Sequence, residues 1–164
     1  MKRLIITLLL ISTILTSYSQ TPLDYKVFEK INEYRVENGV RELKWDDKTY
    51  MAAKHHTDYM VKNKILSHRE DNETPSFITR LLLYLQHDFT TGGENVLRVS
   101  VNDTENSIDI IATIIVNAWK TSKGHNRMML SKVNTTGSVS CGNGFKNGGK
   151  LNMVYSTFLV WSIW

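Results

Sequence analysis

Past residue 130 the apolar pattern of this chain changes period, and that change limits the folds open to it more than any other feature. Up to about residue 121 the apolar residues recur at helical spacing. Val27, Phe28, Ile31 and Tyr34 make one stripe, opened by the capping set Thr21, Pro22 and Asp24 and stopped at Gly39, which predicts a helix over 22–38. Asp46 is placed to cap a second helix, with Trp45 and Tyr50 as its hydrophobic staple and Ala52, Ala53, His56 and Met60 on one face. Thr74 and Pro75 repeat the cap-plus-proline signal ahead of Phe77, Ile78, Leu81, Leu82 and Leu85. A fourth helix, roughly 105–121, carries Ile108, Ile111, Ala112, Ile115 and Trp119, with Gly124 as its expected end. Beyond that point Gly137 to Gly144 reads as strand, Lys146-Asn147-Gly148-Gly149-Lys150 as a hairpin turn, and Leu151 to Phe158 as a second strand. Helices first and strands last predict an α+β domain rather than an alternating βαβ fold.

The N-terminus carries a different signal. Lys2 and Arg3 precede a run of 12 residues, Leu4 to Leu15, broken only by Thr7, Ser12 and Thr13. Such a run is short for a membrane span, and Ser17 and Ser19 suit signal peptidase, so residues 1–19 read as a signal peptide and 20–164 as one domain. Removing Lys2 and Arg3 leaves 18 basic and 16 acidic residues, a net charge of +2, and no long basic run, which argues against a nucleic-acid partner. No second hydrophobic span follows residue 20, so the mature chain has no transmembrane segment. Cys141 is the only cysteine, so an intramolecular disulfide is ruled out although the leader points to secretion or the periplasm. On a β-like segment, Cys141 reads as a small buried hydrophobe.

Of the five histidines, His56, His68 and His125 sit on an inward face or beside punctuation, whereas His55 and His87 read as surface residues. Histidine is the side chain best suited to carry a proton or ligate a metal near neutral pH. Each also has an ordinary structural role: His56 as a core histidine bonded to backbone, His68 at a helix end, His125 as a capping or solvated residue. Glu94 follows Gly92 and Gly93, which let the backbone approach another element closely, and precedes Asn95 in a strand-like segment. No HExxH, GxSxG, Walker loop, dinucleotide fingerprint or paired CxxC occurs.

Taken in order, these residues resemble a known family. Asn32-Glu33-Tyr34-Arg35, Asn38-Gly39-Val40 and Leu43-Lys44-Trp45-Asp46 are similar to the first-helix signature of CAP domains, the cysteine-rich secretory protein and pathogenesis-related protein 1 superfamily. Ala53, His56, Met60 and Ser67-His68 resemble its A-x-x-H-x-x-x-M helix ending in S-H. Gly93-Glu94-Asn95-Val96 resembles the G-E-N block, and Trp119, Ser122, Gly124, His125 and Leu130 the W-x-x-S-x-G-H block of the bacterial branch. Gly137 matches the glycine entering the last strands. The resemblance implies an α-β-α sandwich, helices on both faces of a small, mostly antiparallel sheet, with a groove lined by histidines and acids. His68 then matches the first groove histidine and Glu94 the groove glutamate. His125 matches the bacterial histidine, which stands at a different position from the second groove histidine of the eukaryotic proteins. Lys123 replaces the proline, and Asn126 the arginine, that bacterial members often carry. The family's disulfides are absent.

The resemblance therefore implies a secreted bacterial CAP-domain protein whose groove is made from His68, Glu94, His125, His56, Asn95 and Ser122. The groove would receive a lipid or other small apolar ligand, or a protein partner. Zn²⁺ or another divalent cation is the candidate cofactor, with His68 and His125 as its ligands. Two other readings stand beside binding: a metal-dependent hydrolase in which Glu94 takes a proton from metal-bound water, and a structural or interaction protein of the cell envelope. No catalytic residue is assigned, and the balance leans away from an enzyme because the family has no single reaction.

Overall fold

The computed structural model describes residues 19–102, 107–147 and 151–163; the leader and the tip of the expected hairpin turn lie outside them. Helix α1 spans Pro22–Glu37. Thr21 closes a full capping box on it: its hydroxyl accepts from Asp24 N–H at 3.2 Å, and the Asp24 carboxylate accepts from Thr21 N–H at 2.7 Å. The chain leaves α1 through Gly39, whose φ of +67° is the left-handed region that only glycine enters without a steric cost. Helix α2, Asp47–Asn63, is capped by Asp46, which accepts from Thr49 N–H at 2.7 Å, while the Trp45 and Tyr50 rings meet at 5.5 Å as the staple.

Helix α3 spans Phe77–Leu85, and its cap is Ser76 rather than Thr74. Ser76 and Thr79 form their own capping box, and Thr74 is drawn instead toward Asn72 and Glu70, so Pro75 stays outside the helix. Helix α4 is Ile108–Thr121. Gly124 does not end it: the chain turns at Ser122, which has extended backbone, and a further helix α5, Lys123–Met129, contains Gly124 and His125. The switch to extended backbone at Ser122, not a glycine, supplies that break.

Four strands form one sheet in the order β1-β3-β4-β2. The short β1, Lys44–Trp45, lies parallel to β3, Thr136–Asn147, and is absent from the sequence expectation. Strand β4, Leu151–Ser162, runs antiparallel to β3 on one side and to β2, Thr91–Asn102, on the other. It extends four residues past the predicted Phe158, because Leu159 to Trp161 continue to pair with both neighbours and Ser162 pairs with Thr91 of β2. Pleating sends alternate residues of β4 to opposite faces. Val154, Phe158 and Val160 pack with Val27, Ile31, Ile115 and Trp119 of α1 and α4, whereas Leu159 and Trp161 pack with Ala52, Ala53, Leu81 and Leu85 of α2 and α3. The result is the expected α+β sandwich of helices, sheet and helices. Among the described residues no helix is long and apolar enough to cross a membrane.

Two buried charges fasten the layers. Asp24 accepts from Cys141 N–H at 2.7 Å and from the Tyr50 hydroxyl at 3.2 Å, tying α1 and α2 to β3; burial raises its carboxyl above the usual range, and the hydrogen bonds from Thr21, Cys141 and Tyr50 oppose that rise. Cys141 itself packs against the core on β3, and burial, with the nearby Asp24 charge, pushes its thiol well up, so it is an unreactive small hydrophobe. Arg35, fully buried, donates to the carbonyls of Arg41, Met129, Ser131 and Asn134 at 2.5–3.3 Å, joining the end of α1 to the chain between α5 and β3. Arg35→Met leaves several buried carbonyls without donors, each worth about 1–3 kcal/mol. Urea unfolding of that variant is expected to show a loss of at least about 3 kcal/mol, with Arg35→Lys recovering only part because one ammonium cannot span the four carbonyls.

Candidate functional site

The two adjacent histidines of α2 point to different environments because neighbours on a helix lie about 100° apart. His56 is fully buried. Its Nδ1 lies 2.7 Å from Glu70 Oε1 and its Nε2 2.6 Å from the Ser67 carbonyl. Both ring nitrogens therefore face oxygen acceptors, a carbonyl on one side and a carboxylate paired with arginine on the other. Glu70, in the loop after α2, receives Arg80 Nη1 at 3.2 Å on the same oxygen; its other oxygen takes Asn72 Nδ2 at 2.5 Å and His55 Nε2 at 3.3 Å.

Arg80 reaches from α3 to a second carboxylate. Its Nη2 lies 2.5 Å from Glu94 Oε2, and Glu94 Oε1 sits 3.0 Å from His68 Nδ1 and 3.9 Å from His56 Nε2. The side chains of His56, Glu70 and Arg80 have no exposed surface, and Glu94 has 1%. Arg80, His56 and the two carboxylates thus form a closed, mutually paired cluster, the condition under which buried charges are tolerated. On the Glu94 side, His68, at 56% side-chain exposure, carries the chain of contacts out to solvent.

Glu94 belongs to β2, the edge of the sheet, and pleating decides what its neighbours meet. Glu94 faces α2 and α3, while Gly93 and Asn95 face α5. Asn95 Nδ2 donates to the His125 carbonyl at 3.0 Å. A Cβ on Gly93 would fall 2.1 Å from Met128 Cε, so the close approach expected of this glycine is real and its partner is α5. These contacts hold α5 against the edge strand and bring His125 near His68. Burial, and then the charge of His68, hold the His125 imidazole below its ordinary value of 6.5.

His68, Glu94, Asn95 and His125 therefore gather at the β2 edge. His56 lies beneath them as part of the cluster, and Ser122 stands at the α4/α5 junction with no capping bond from its side chain. His87 is exposed, its ring 5.3 Å from Trp161, but His55 is half-buried and held by Glu70 and Tyr84, contrary to the surface expectation. Glu70 and Arg80 are the members that sequence reasoning missed. Arg80 did leave a trace, as the single charge in the apolar segment FITRLLLYL; Glu70, inside a polar loop, left none. As a metal site the rim offers two imidazoles. Glu94 has one oxygen on Arg80 and the other on His68, and among the described residues no group of three or more His, Cys, Asp or Glu is arranged to hold an ion.

Comparison with known proteins gives a consistent result. A model of CAP, the cysteine-rich secretory protein family, matches residues 28–160. No curated protein sequence matches the chain. Among solved structures, an extracellular SCP-domain protein from Bacillus anthracis str. Ames is similar with a TM-score of 0.61 at 22% identity, over 89% of this chain and 45% of that one. An outer surface protein from Borrelia burgdorferi gives 0.63 at 18% identity, over 89% and 97%. A cysteine-rich secretory protein from Staphylococcus aureus gives 0.56 at 15%, over 89% and 40%. The chain thus spans under half the length of two of these proteins and nearly all of the third. At these identities they establish a shared fold.

Two outcomes follow from the geometry. Arg80→Met leaves Glu70 and Glu94 facing each other without their common cation, and chemical denaturation is expected to show a loss of about 3–5 kcal/mol; adding Glu70→Gln should restore part of it, since it removes one stranded charge. His125 titrates below 6.5 in the folded state, so the unfolded chain takes up that proton first as pH falls. Its contribution is fully present above 6.5 and is lost as pH drops through the folded value. An NMR titration of the His125 ring should place its midpoint below 6.5, and His68→Ala should move that midpoint upward.

Proposed function

Because the chain belongs to the CAP family, cysteine-rich secretory proteins, we propose that it is an exported binding module whose surface at His68 and His125, backed by Glu94, holds a small apolar ligand or a partner, and that His68 and His125 form a weak site for Zn²⁺ or a similar divalent cation. Export rests on the leader-like residues 1–19 and agrees with the extracellular and outer-surface neighbours. One observation carries the binding reading. The exposed imidazole of His68 stands on a buried pedestal: its Nδ1 is held by Glu94, which is held by Arg80, so the nitrogen left for solvent is Nε2. A ring held in one orientation meets a ligand without first being ordered.

That arrangement gives Glu94 a positioning role. A histidine that binds a cation through one nitrogen characteristically donates from the other to a carboxylate, the relation His68 has to Glu94. Two imidazoles are fewer than the three protein ligands of catalytic zinc, so affinity should be modest. The same commitment of Glu94 favours binding over turnover, since a carboxylate shared by an arginine and a histidine is a poor acceptor for a substrate's or water's proton. His125, held below its ordinary value by burial, supplies a neutral second nitrogen.

The test is calorimetric titration of the metal-stripped mature chain with Zn²⁺, beside His68→Ala and His125→Ala. Binding in the range of about 1 μM to 1 mM, weakened about tenfold or more by either substitution, is the expected result. Binding indifferent to both histidines, or none, removes the cation site. The apolar half is read separately: a fluorescent fatty acid that shifts the His68 and His125 ring resonances supports it, and one that binds without shifting them does not.

A further inference from the structure

We propose that the second half of β2 is a docking edge at which an extended peptide segment of a partner protein adds as a further strand, with an acidic residue opposite Arg98. β2 is an outer strand of the sheet, and among the described residues no strand pairs with its far side. Hydrogen bonds at the end of β4 fix which backbone groups face that side. The Ser162 carbonyl accepts from Thr90 N–H at 2.9 Å and the Trp161 carbonyl from Thr135 N–H at 3.2 Å, so the Ser162 backbone turns toward β2 and the Trp161 backbone toward β3. In an antiparallel ladder this alternation carries through the register, and the β2 partner of Ser162 is Thr91. Odd-numbered residues of β2 therefore bond to β4, and the N–H and C=O of Glu94, Val96, Arg98 and Ser100 point outward.

The two halves of this edge differ. Near its start α5 lies across Gly93 and Asn95, and the Trp119 indole of α4 donates to the outward Val96 carbonyl at 3.4 Å. On the opposite margin of the sheet the Cys141 N–H of β3 is likewise taken, by Asp24 at 2.7 Å. Arg98 and Ser100 have no such cover. Both residues are exposed, and among the described residues nothing bonds to their outward backbone groups. A strand edge left with its donors and acceptors in water is a template for another strand, and an extended peptide satisfies it group by group.

The flanking surfaces define the strand that fits. On one face the loop after α2 runs beside the edge, tied by the Arg98 guanidinium to the Lys64 carbonyl at 3.4 Å and by His68 to Glu94 at 3.0 Å; between these ties Ile65 and Leu66 are 37% and 48% exposed. On the other face α4 turns Asp109, Thr113 and Lys120 toward α1, which leaves Ile111 and Ile114, part-buried in the cluster that holds Leu97 and Val99, along the edge. A strand laid here covers apolar side chains on both faces. Charge selects its source. The Arg98 guanidinium meets a carbonyl and, among the described residues, no carboxylate, and residues 97–101 contain no acid. A second copy pairing edge to edge would set two Arg98 side chains on one face with no carboxylate between them, which is unfavourable. An acidic residue in a different chain supplies the missing charge opposite Arg98, and apolar residues on either side of it then fall on the α4 face, against Ile111 and Ile114.

The experiment titrates the isotope-labelled mature chain with the peptide acetyl-Thr-Val-Glu-Val-Thr-Val-amide and follows the backbone amides by NMR. The Arg98 and Ser100 amides are expected to shift and to gain protection from exchange, with a Kd of about 10 μM to 1 mM. Methylating the peptide nitrogens of its Glu and Thr residues, which face β2, should abolish binding, whereas methylating those of its Val residues, which face solvent, should spare it. Replacing its Glu by Lys should weaken binding about threefold or more, and Arg98→Glu should reverse that preference. Ser100→Pro removes an outward N–H and no bond to β4, and should weaken the peptide about tenfold at an unchanged melting temperature; should that variant unfold, the methylated peptides and Arg98→Glu still decide the matter. Absence of binding at about 1 mM, shifts centred on His68 and His125, indifference to which nitrogens are methylated, or a preference of the unaltered chain for the Lys peptide would overturn the proposal. Protection of the same amides that grows with protein concentration and needs no peptide would assign the edge to a second copy and overturn the partner assignment.

Discussion

Four buried ionisable side chains from four separate segments close on one another in this protein: His56 of α2, Glu70 of the following loop, Arg80 of α3 and Glu94 of β2. The rest of the site depends on that closure. A chain with one cysteine has no disulfide to hold the segment between α2 and α3, and that segment contains few buried apolar residues. Arg80 bridges the two carboxylates and His56 donates to Glu70, so each member compensates the desolvation of another. Such clusters contribute less to net stability than an equal volume of hydrocarbon would. What they impose is a single arrangement, because any other leaves a charge buried and unpaired.

From this constraint the two surface features follow. On the side of the sheet edge, Glu94 passes the fixed geometry of the cluster to His68, and α5 comes in across Gly93 and Asn95 to set His125 beside it. On the outer side of α2, Thr74, itself bonded to Glu70, meets one ring nitrogen of His55, and the other meets the Tyr84 hydroxyl. One buried, closely paired interior thereby contacts groups on two faces of the molecule.

The other buried arginine shows the contrast. Arg35 meets carbonyl oxygens rather than carboxylates, and burial lowers its basicity from the ordinary value. It acts as a many-pronged donor that satisfies the irregular backbone between α5 and β3, where no ladder of strand or helix could do so. Arg80 joins charges and thereby builds a site. Arg35 joins backbone and thereby fixes the entry to the last two strands.

Much of this was written locally in the sequence. The α1 capping box, the α2 cap with its Trp45 and Tyr50 staple, the apolar stripes and the change of period past residue 130 all depend on residues within a few positions of one another, so α1 to α4, the last two strands and the α+β class could be read directly; the twelve-residue β2, which lies between α3 and α4 rather than after the helices, showed only as a strand-like stretch at Glu94. The ordered motifs further singled out His68, Glu94, Asn95 and His125, which the fold brings together. What the sequence could not carry was the partner of each charge. Glu70 in its polar loop looks like any solvated acid, and His55 like a surface neighbour of His56, until α3 and β2 pack against α2. The short β1, the helix begun at Ser122 and the cap at Ser76 were likewise decided by competition among nearby alternatives. Local spacing determines which elements form, but burial and ion pairing are set by segments 14 to 26 residues apart, such as Arg80 with Glu94 and His68 with Glu94, and only the folded chain brings those together.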